Sequence, residues 1–340
     1  MLLENIEKEN LSPNKTNEIL IKFENVNKIF PNGFKAIDNL NLEVKKGETL
    51  VLLGTSGSGK TTTMKLVNRL IEPTSGKIYI NGEDISSYNP IKLRRKIGYA
   101  IQHIGLFPHM SIAENIAVVP KLLKWSQEEI DQRINELLNL VNLDPAEFRN
   151  RYPSQLSGGQ KQRIGVIRAL AADPNVILMD EPFGALDPIT REQLQDEFLD
   201  LESEIKKTIL FVTHDIFEAI KMGDRIVLLD EGKIQQCATP HELVENPKNK
   251  FVEQFLGQQR FQLSLYTKTL KKIDIKIHDA EKPPARPKNY LSLRNTIIDA
   301  LDKFKVDKRK SLPVYSAKKY LGHIKHSDLL KSITEVLHSA

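Results

Sequence analysis

The 340-residue chain holds a single cysteine, Cys237, so no disulfide can form within it and no metal cluster can be built on several thiolates. It has no apolar run near the roughly 20 residues that a membrane-spanning helix needs, and none of its segments is expected to cross a bilayer. The opening MLLENIEKEN carries acids where a secretory leader would be basic and then apolar, so a cytosolic location is expected. Aromatics are only 6% of the residues and form no run interleaved with basic ones, which argues against nucleic acid as a partner. What is there, 40% hydrophobic and 27% charged residues, is the composition of a globular protein long enough for two domains.

The net charge of +5 hides an asymmetry. Residues 260–340 hold 18 Lys/Arg against 8 Asp/Glu, a net of +10, which leaves −5 for residues 1–259. The basic end suits an anionic membrane surface or an acidic partner. A tail that binds anionic lipid at low ionic strength and lets go at high ionic strength is one expectation; a solvated basic face with no role is the other.

The chain is organised around LGTSGSGKTT, Leu53 to Thr62. An apolar run, Thr49–Leu53, precedes it, and Met64–Leu70 behind it has helical spacing. Strand, glycine-rich loop and helix are the setting in which G-x-x-x-x-G-K-[ST] cradles a polyphosphate. Gly54, Gly57 and Gly59 let backbone amides turn inward at a helix N-terminus, where anions are favoured. Lys60 brings a full positive charge to the β and γ phosphates, and the Thr61 hydroxyl can hold Mg²⁺.

Residues 1–19 are polar and read as a mobile extension. Ile19–Phe23 and Leu40–Val44 alternate as half-buried strands, and between them Phe30, ahead of Pro-Asn-Gly, is placed either to stack on adenine or to join the core. Gly76–Ile80 reads as a strand with an Asn81-Gly82 hairpin turn, and Ile97–Gln102 as a short strand. Ser111–Leu143 has helical spacing and reads as an insertion in an α/β domain. LSGGQKQR at 156–163 sets Ser157, Gly158 and Gly159 at the start of the helix-like stretch Ile164–Ala172. That is a second anion cradle, which one polyphosphate needs only if a second chain supplies it; read alone, it is equally a flexible turn with an N-cap. Val176–Met179 is a buried strand emptying into Asp180 and Glu181. Asp180 is placed to bind Mg²⁺ opposite Thr61, and Glu181 to orient an attacking water, unless the two acids merely cap a helix. Ile209–Val212 ends in Thr213-His214-Asp215, a third strand end delivering polar groups to one sheet edge.

Together these residues resemble the nucleotide-binding domain of ABC transporters over roughly Ile19 to Gly257. The resemblance implies an α/β fold, a P-loop NTPase domain at 20–258 with a helical subdomain at about 103–172. It implies an ATPase that uses ATP and Mg²⁺, in which two copies close head to tail over two nucleotides. Gly54, Thr55, Ser56, Gly57, Ser58, Gly59, Lys60, Thr61 and Thr62 would hold the nucleotide with Phe30. The signature Leu156–Gln160, through Ser157, Gly158, Gly159 and Gln160, and the D-loop Ala185-Leu186-Asp187 would complete the site. Thr61, Gln102 and Asp180 would meet the metal; Glu181, His214 and Gln102 would carry catalysis.

A closer resemblance, on IGYAIQHIGLFPHMSIAENIAVVP (97–120) and GKIQQCATPHELVENPKNKFVEQFLG (232–257), is to ATPase subunits of bacterial importers for glycine betaine, carnitine and choline. It implies integral membrane permease subunits as partners, a substrate-binding protein indirectly, and a peripheral place on the cytoplasmic face of the membrane. An amino-acid importer such as one for methionine is the alternative; a non-transport ABC ATPase or a nucleotide-sensing regulator stands further off. From Lys288 the order helix (Thr296–Lys305), strand SLPVY, strand YLGHI and helix (Asp328–Leu337, capped by Ser327) resembles one CBS motif, a small α+β regulatory domain at 288–340. Residues 259–287 are left as a linker or a worn second copy, with EKPPARPK at 281–288 stiffened by proline. Ile324 and Lys325 stand where a nucleotide-binding CBS copy usually has Ser or Thr, while Asp328 keeps the usual ribose contact.

Overall fold

The structure, a computed structural model, describes residues 18–101, 105–184, 186–271, 273, 275–278, 289–293, 295–307, 309–316 and 319–339. Most of the expected N-terminal extension, Gln102, Ala185 and the 281–288 stretch lie outside them. The chain divides into two compact units: one running to Asp215 and resuming over Met222–Gln235, the other made of Ile216–Lys221 and the chain from Gln236 onward.

The first unit opens with β1 (Ile19–Ile29), β2 (Lys35–Lys45), β3 (Thr49–Gly54), α1 (Lys60–Val67), β4 (Ser75–Ile80), β5 (Glu83–Asp84), α2 (Pro90–Arg94) and β6 (Ile97–Ala100). It continues with α3 (Ile112–Leu122), α4 (Gln127–Leu140), α5 (Pro145–Phe148), α6 (Gly158–Leu170), β7 (Val176–Asp180), α7 (Pro188–Ile205) and β8 (Thr208–Val212). After α8 (Ile216–Met222), whose residues Ile216–Lys221 belong to the second unit, comes β9 (Arg225–Asp230).

Every residue of β3, β7 and β8 is buried, as their unbroken apolar runs require of strands covered on both faces. They form the middle of a sheet in which β9, β3, β8, β7 and β6 lie side by side, all parallel. The register sets Leu52 and Asp180 beside Val212, so three strands end together at one edge. A second sheet, in the order β2-β1-β4-β5, is antiparallel. In it β1 runs six residues beyond the expected Phe23, because an irregularity around Asn25 (φ 49°) lets pairing resume at Val26.

The expected helical insertion is α3 to α6. Each long helix there begins on a capping box: Ser111 with Glu114, Ser126 with Glu129, Ser157 with Gln160. The α6 helix starts at Gly158, six residues before the apolar stretch that announced it.

β10 (Lys233–Ala238) lies beside β9 as the edge strand of the six-stranded sheet. The second unit then holds α9 (Pro240–Glu245), α10 (Lys250–Leu256), α11 (Arg260–Thr267), β11 (Leu291–Ser292), α12 (Ile297–Asp307), β12 (Ser311–Ser316), β13 (Lys319–Lys325) and α13 (His326–Ser339). Its three-stranded sheet, β11-β12-β13, packs its apolar face into a core with Leu265, Leu270, Ile297, Ala300, Phe304 and Leu329. The described residues of 260–278 therefore belong to this module: α11 supplies core residues, and His278 pairs with His323 as a bridge on β13. Ser327 is not an N-cap, since β13 passes straight into α13 at His326 and the His326 amide bonds Lys310 O at 3.0 Å.

Candidate nucleotide site

The loop between β3 and α1 is shaped by contacts that admit no side chain. A Cβ at Gly54 (φ 154°) would lie 2.2 Å from Leu229 O on β9 and 2.7 Å from Ser58 Oγ. The β9–β10 turn is tied in as well: Gly232 N donates to Ser58 O at 3.2 Å and Asp38 N to Gly232 O at 3.0 Å. The glycines expected to curl the loop thus also let neighbouring strands clamp it.

Lys60, the first residue of α1, is 6% exposed, and its Nζ donates to Gly54 O and Thr55 O at 2.8 Å each. Burial pulls its pKa down, against the opposing pull of the Glu181 and Asp180 carboxylates. Asp180, 7% exposed, is pushed the other way, upward, chiefly by burial and in part by Glu181. Thr61 Oγ1 donates to Asp180 Oδ1 at 3.1 Å, which joins the loop to the end of β7. A buried cation and a buried carboxylate, each costly to keep charged, converge here with a hydroxyl. A polyphosphate on the lysine side and a hard, oxygen-seeking cation on the Thr61–Asp180 side fit that donor set.

Glu181 is 20% exposed and turns on a left-handed backbone (φ 45°), its amide bonded to Val212 O at 3.0 Å. Its carboxylate meets the residue just past β8, where His214 Nδ1 lies 3.2 Å from Glu181 Oε1. The His214 side chain is 63% exposed, so an acid and an imidazole share an open face beside the loop.

The chain matches the ABC transporter family over residues 37–184. It is 46% identical to the glycine betaine uptake system ATP-binding protein YehX of Escherichia coli, across 92% of this chain and 99% of that protein. The chain belongs to the ATP-binding proteins of ABC transporters. It is also 61% identical over 241 residues to the carnitine transport ATP-binding protein OpuCA of Listeria monocytogenes, where the match spans 71% of this chain and only 60% of the relative. Among solved structures it resembles the ATP-binding cassette MJ0796, a dimer in a post-hydrolysis state bound to ADP and Pi. The two share 37% identity over 65% of this chain and 98% of that one, with a TM-score of 0.58. A nucleotide is what a cassette of this family uses.

The cassette's signature turn is well formed. Ser157 N donates to Gln160 Oε1 at 2.9 Å and Gln160 N to Ser157 Oγ at 3.3 Å, while a Cβ on Gly158 would meet nothing within 4 Å. Among the described residues no hydrogen bond ties this turn to the phosphate loop. Asp187 caps α7 by accepting from Thr190 N at 3.1 Å, and the Thr190 hydroxyl and amide hold its carboxyl below the usual range. Gln102, given both to the metal and to catalysis, falls outside the described residues.

Beside the phosphate loop stands a further aromatic residue, Phe34. A cavity of about 560 Å³ borders Thr55, Ser56, Gly57 and Ser58, and the ring that lines it belongs to Phe34, 53% exposed. Phe30 stacks on Phe34 with planes 13° apart and centroids at 6.5 Å. The hairpin that sets the two rings side by side closes with Phe30 N donating to Phe34 O at 2.9 Å. The signal available in the sequence was a second aromatic just past Pro-Asn-Gly.

Proposed function

We propose that this chain is the ATP-binding and hydrolysing subunit of an importer for quaternary-amine osmoprotectants of the glycine betaine, carnitine and choline kind. The observation that carries the hydrolytic part is a meeting at the strand ends: Thr61, in the first turn of α1, with Asp180 at the end of β7, and Glu181, just past β7, with His214, just past β8. Phosphoryl transfer asks a protein mainly for positioning and charge stabilisation. Lys60 and the loop amides draw the phosphates in, Glu181 orients the attacking water and draws on its proton, and His214 steadies Glu181 and the terminal phosphate. Mg²⁺ held by Thr61 and Asp180, with Gln102, would neutralise charge building on the phosphates. The signature turn of a second copy, through its Ser157, Gly158 and Gly159, supplies donors from the opposite side, in the head-to-tail pairing that the two-cradle sequence calls for.

The cargo reading is supported by relatives whose names include glycine betaine, carnitine and choline. No helix among the described residues is long and apolar enough to cross a membrane, which suits a subunit that works beside integral permease subunits. A groove of about 260 Å³ between β6, α3 and α6, rimmed by Arg94, Arg95, Phe107 and Arg168, is the surface we assign to the permease. Its neighbours Ile91 and Leu122 are 57% and 49% exposed, apolar surface suited to burial against a partner. The second unit, with its order α12-β12-β13-α13, is assigned as a CBS-like regulatory module.

The test is ATPase activity of the chain reconstituted with its permease and binding protein in liposomes, with each of the three compounds, across ionic strength. Stimulation by one of them is expected. Activity indifferent to all three removes the cargo assignment.

A further inference from the structure

Away from the phosphate loop, a cavity of about 490 Å³ opens in the first unit where the C-terminal end of α4 meets α6 and α7. That volume lies in the roughly 300–1,000 Å³ range of small-molecule sites. Its floor is hydrocarbon: Val166 from α6, Leu194, Phe198 and Leu201 from α7, and Phe183 from the segment after β7, all of them buried. Phe183 and Phe198 meet edge to face with centroids 6.1 Å apart, and both rest on Phe211 of β8. The floor is therefore one wall of the packed core.

The charges around that floor are already engaged. Arg163 pairs with Glu197 at 2.6 Å, Glu136 pairs with Arg133 at 3.4 Å, and Asp200 has a partner as well. An incoming ion would have to compete for one of these pairings or lie on hydrocarbon without a counter-charge, and either is costly. One neutral requirement is left open. Arg163 gives Nη2 to Glu197 and Nη1 to Val141 O at 3.4 Å, while its Nε is buried and meets no acceptor among the described residues. A buried N–H without an acceptor is unfavourable, so a ligand that brings an uncharged oxygen supplies what the wall lacks. The lining fits a flat neutral molecule, with rings on the phenylalanines and a carbonyl or ether oxygen for Arg163.

Two contacts join the cavity to the candidate nucleotide site. Gln162, 5% exposed and part of the lining, donates through its amide to Pro182 O, the residue between Glu181 and Phe183. Leu194 packs toward the signature turn, since a Cβ on Gly159 would stand 3.7 Å from its Cδ1. We propose that this cavity is an effector site for a small neutral aromatic molecule carrying a hydrogen-bond acceptor, and that its occupancy changes the rate of ATP hydrolysis. The cargo assignment plays no part in this; the effect on rate rests on reading Glu181 as the hydrolytic carboxylate.

The probes share one body: 2-acetylnaphthalene, neutral with an acceptor; 2-ethylnaphthalene, neutral without one; 2-naphthoate; and 2-naphthylmethylammonium. Equilibrium dialysis against the full chain, without nucleotide and at about 0.15 M salt, gives their affinities. The ketone should bind saturably, the hydrocarbon about threefold to tenfold more weakly, and both ions about tenfold more weakly or not at all. Val166→Phe, which fills the floor, and Asn139→Trp, at an exposed rim position, should each weaken the ketone about tenfold. Should Val166→Phe fail to fold, the rim variant still decides the location. ATP turnover without any probe tests the hydrolytic reading by itself; its absence would overturn that reading and the effect on rate, but not the binding. With turnover present, saturating ketone should change kcat about twofold or more and leave KM for ATP unmoved, because the cavity does not border the phosphate loop. An ion or the hydrocarbon binding as tightly as the ketone, unchanged binding in Asn139→Trp, or an unmoved kcat at saturation would each overturn the proposal.

Discussion

His214 Nδ1 lies 3.2 Å from Glu181 Oε1, joining the ends of two neighbouring parallel strands through their side chains. The contact orients the carboxylate that we assign to the attacking water. Glu181→Gln keeps the shape and removes the charge. Hydrolysis is expected to fall about 10²–10³-fold, within the span of a general-base contribution, while ATP still binds. Size-exclusion profiles in ATP should then shift toward the dimer; brisk turnover with an unchanged monomer profile would count against the assignment.

The Phe30–Phe34 pair makes a prediction about the base. Phe34→Ala removes the ring that lines the cavity, and stacking is worth about 1–3 kcal/mol per base. The Kd for ATP should rise about fivefold to a hundredfold, and that for inorganic triphosphate should stay put. Phe30→Ala, which removes the backing ring, should have the smaller effect. Fluorescent-nucleotide titrations separate the two.

Gly54 and Gly57 share the phosphate loop but differ in surroundings. Gly54→Ala drives a methyl into Leu229 O, and overpacking of this kind costs about 1–3 kcal/mol or more. Gly57→Ala meets no atom within 4 Å and bears only its left-handed backbone (φ 80°), about 1–2 kcal/mol. Thermal melts of the two variants should rank in that order.

In the second unit, Asp328 Oδ2 lies 2.7 Å from His278 Nε2, a bond that holds the Asp328 carboxyl below its ordinary 3.8. A depressed folded-state value means that this contribution is complete above about pH 4 and disappears as pH falls through the lower folded value. Acid titration of the wild-type chain against Asp328→Asn, followed by melting temperature, should show the wild-type advantage shrinking only at the acid end. An advantage that holds steady down to pH 2 would refute it.

Much of the candidate nucleotide site was legible because its chemistry is local. Gly54 to Thr62 is one loop, and Asp180-Glu181 and Thr213-His214 each close an apolar run, so strand ends could be found without knowing the sheet order. The register that brings Thr61 to Asp180 and Glu181 to His214 is a long-range property that no single stretch carries. Phe34 escaped notice because a half-exposed ring past a turn gives no periodic signal, and the clamp of Gly232 on Ser58 joins residues 174 apart in the numbering. The C-terminal module showed its helices and strands, while residues 259–287 read only as a linker or a worn second copy; within them Arg260–Thr267 is a helix with Leu263 and Leu265 buried. Eight residues are too few for helical spacing to stand out.

The left-handed turn at Glu181 sets protein engineering at odds with itself. A non-glycine residue held at φ 45° keeps conformational strain of order 1–3 kcal/mol in the resting chain. With Glu181 assigned to the attacking water, selection for heat resistance alone would favour glycine or asparagine there and yield a tougher chain that, on that assignment, no longer hydrolyses ATP. On the same assignment durability and turnover oppose each other at this one backbone position, and a library screened only for survival on heating should enrich inactive chains first.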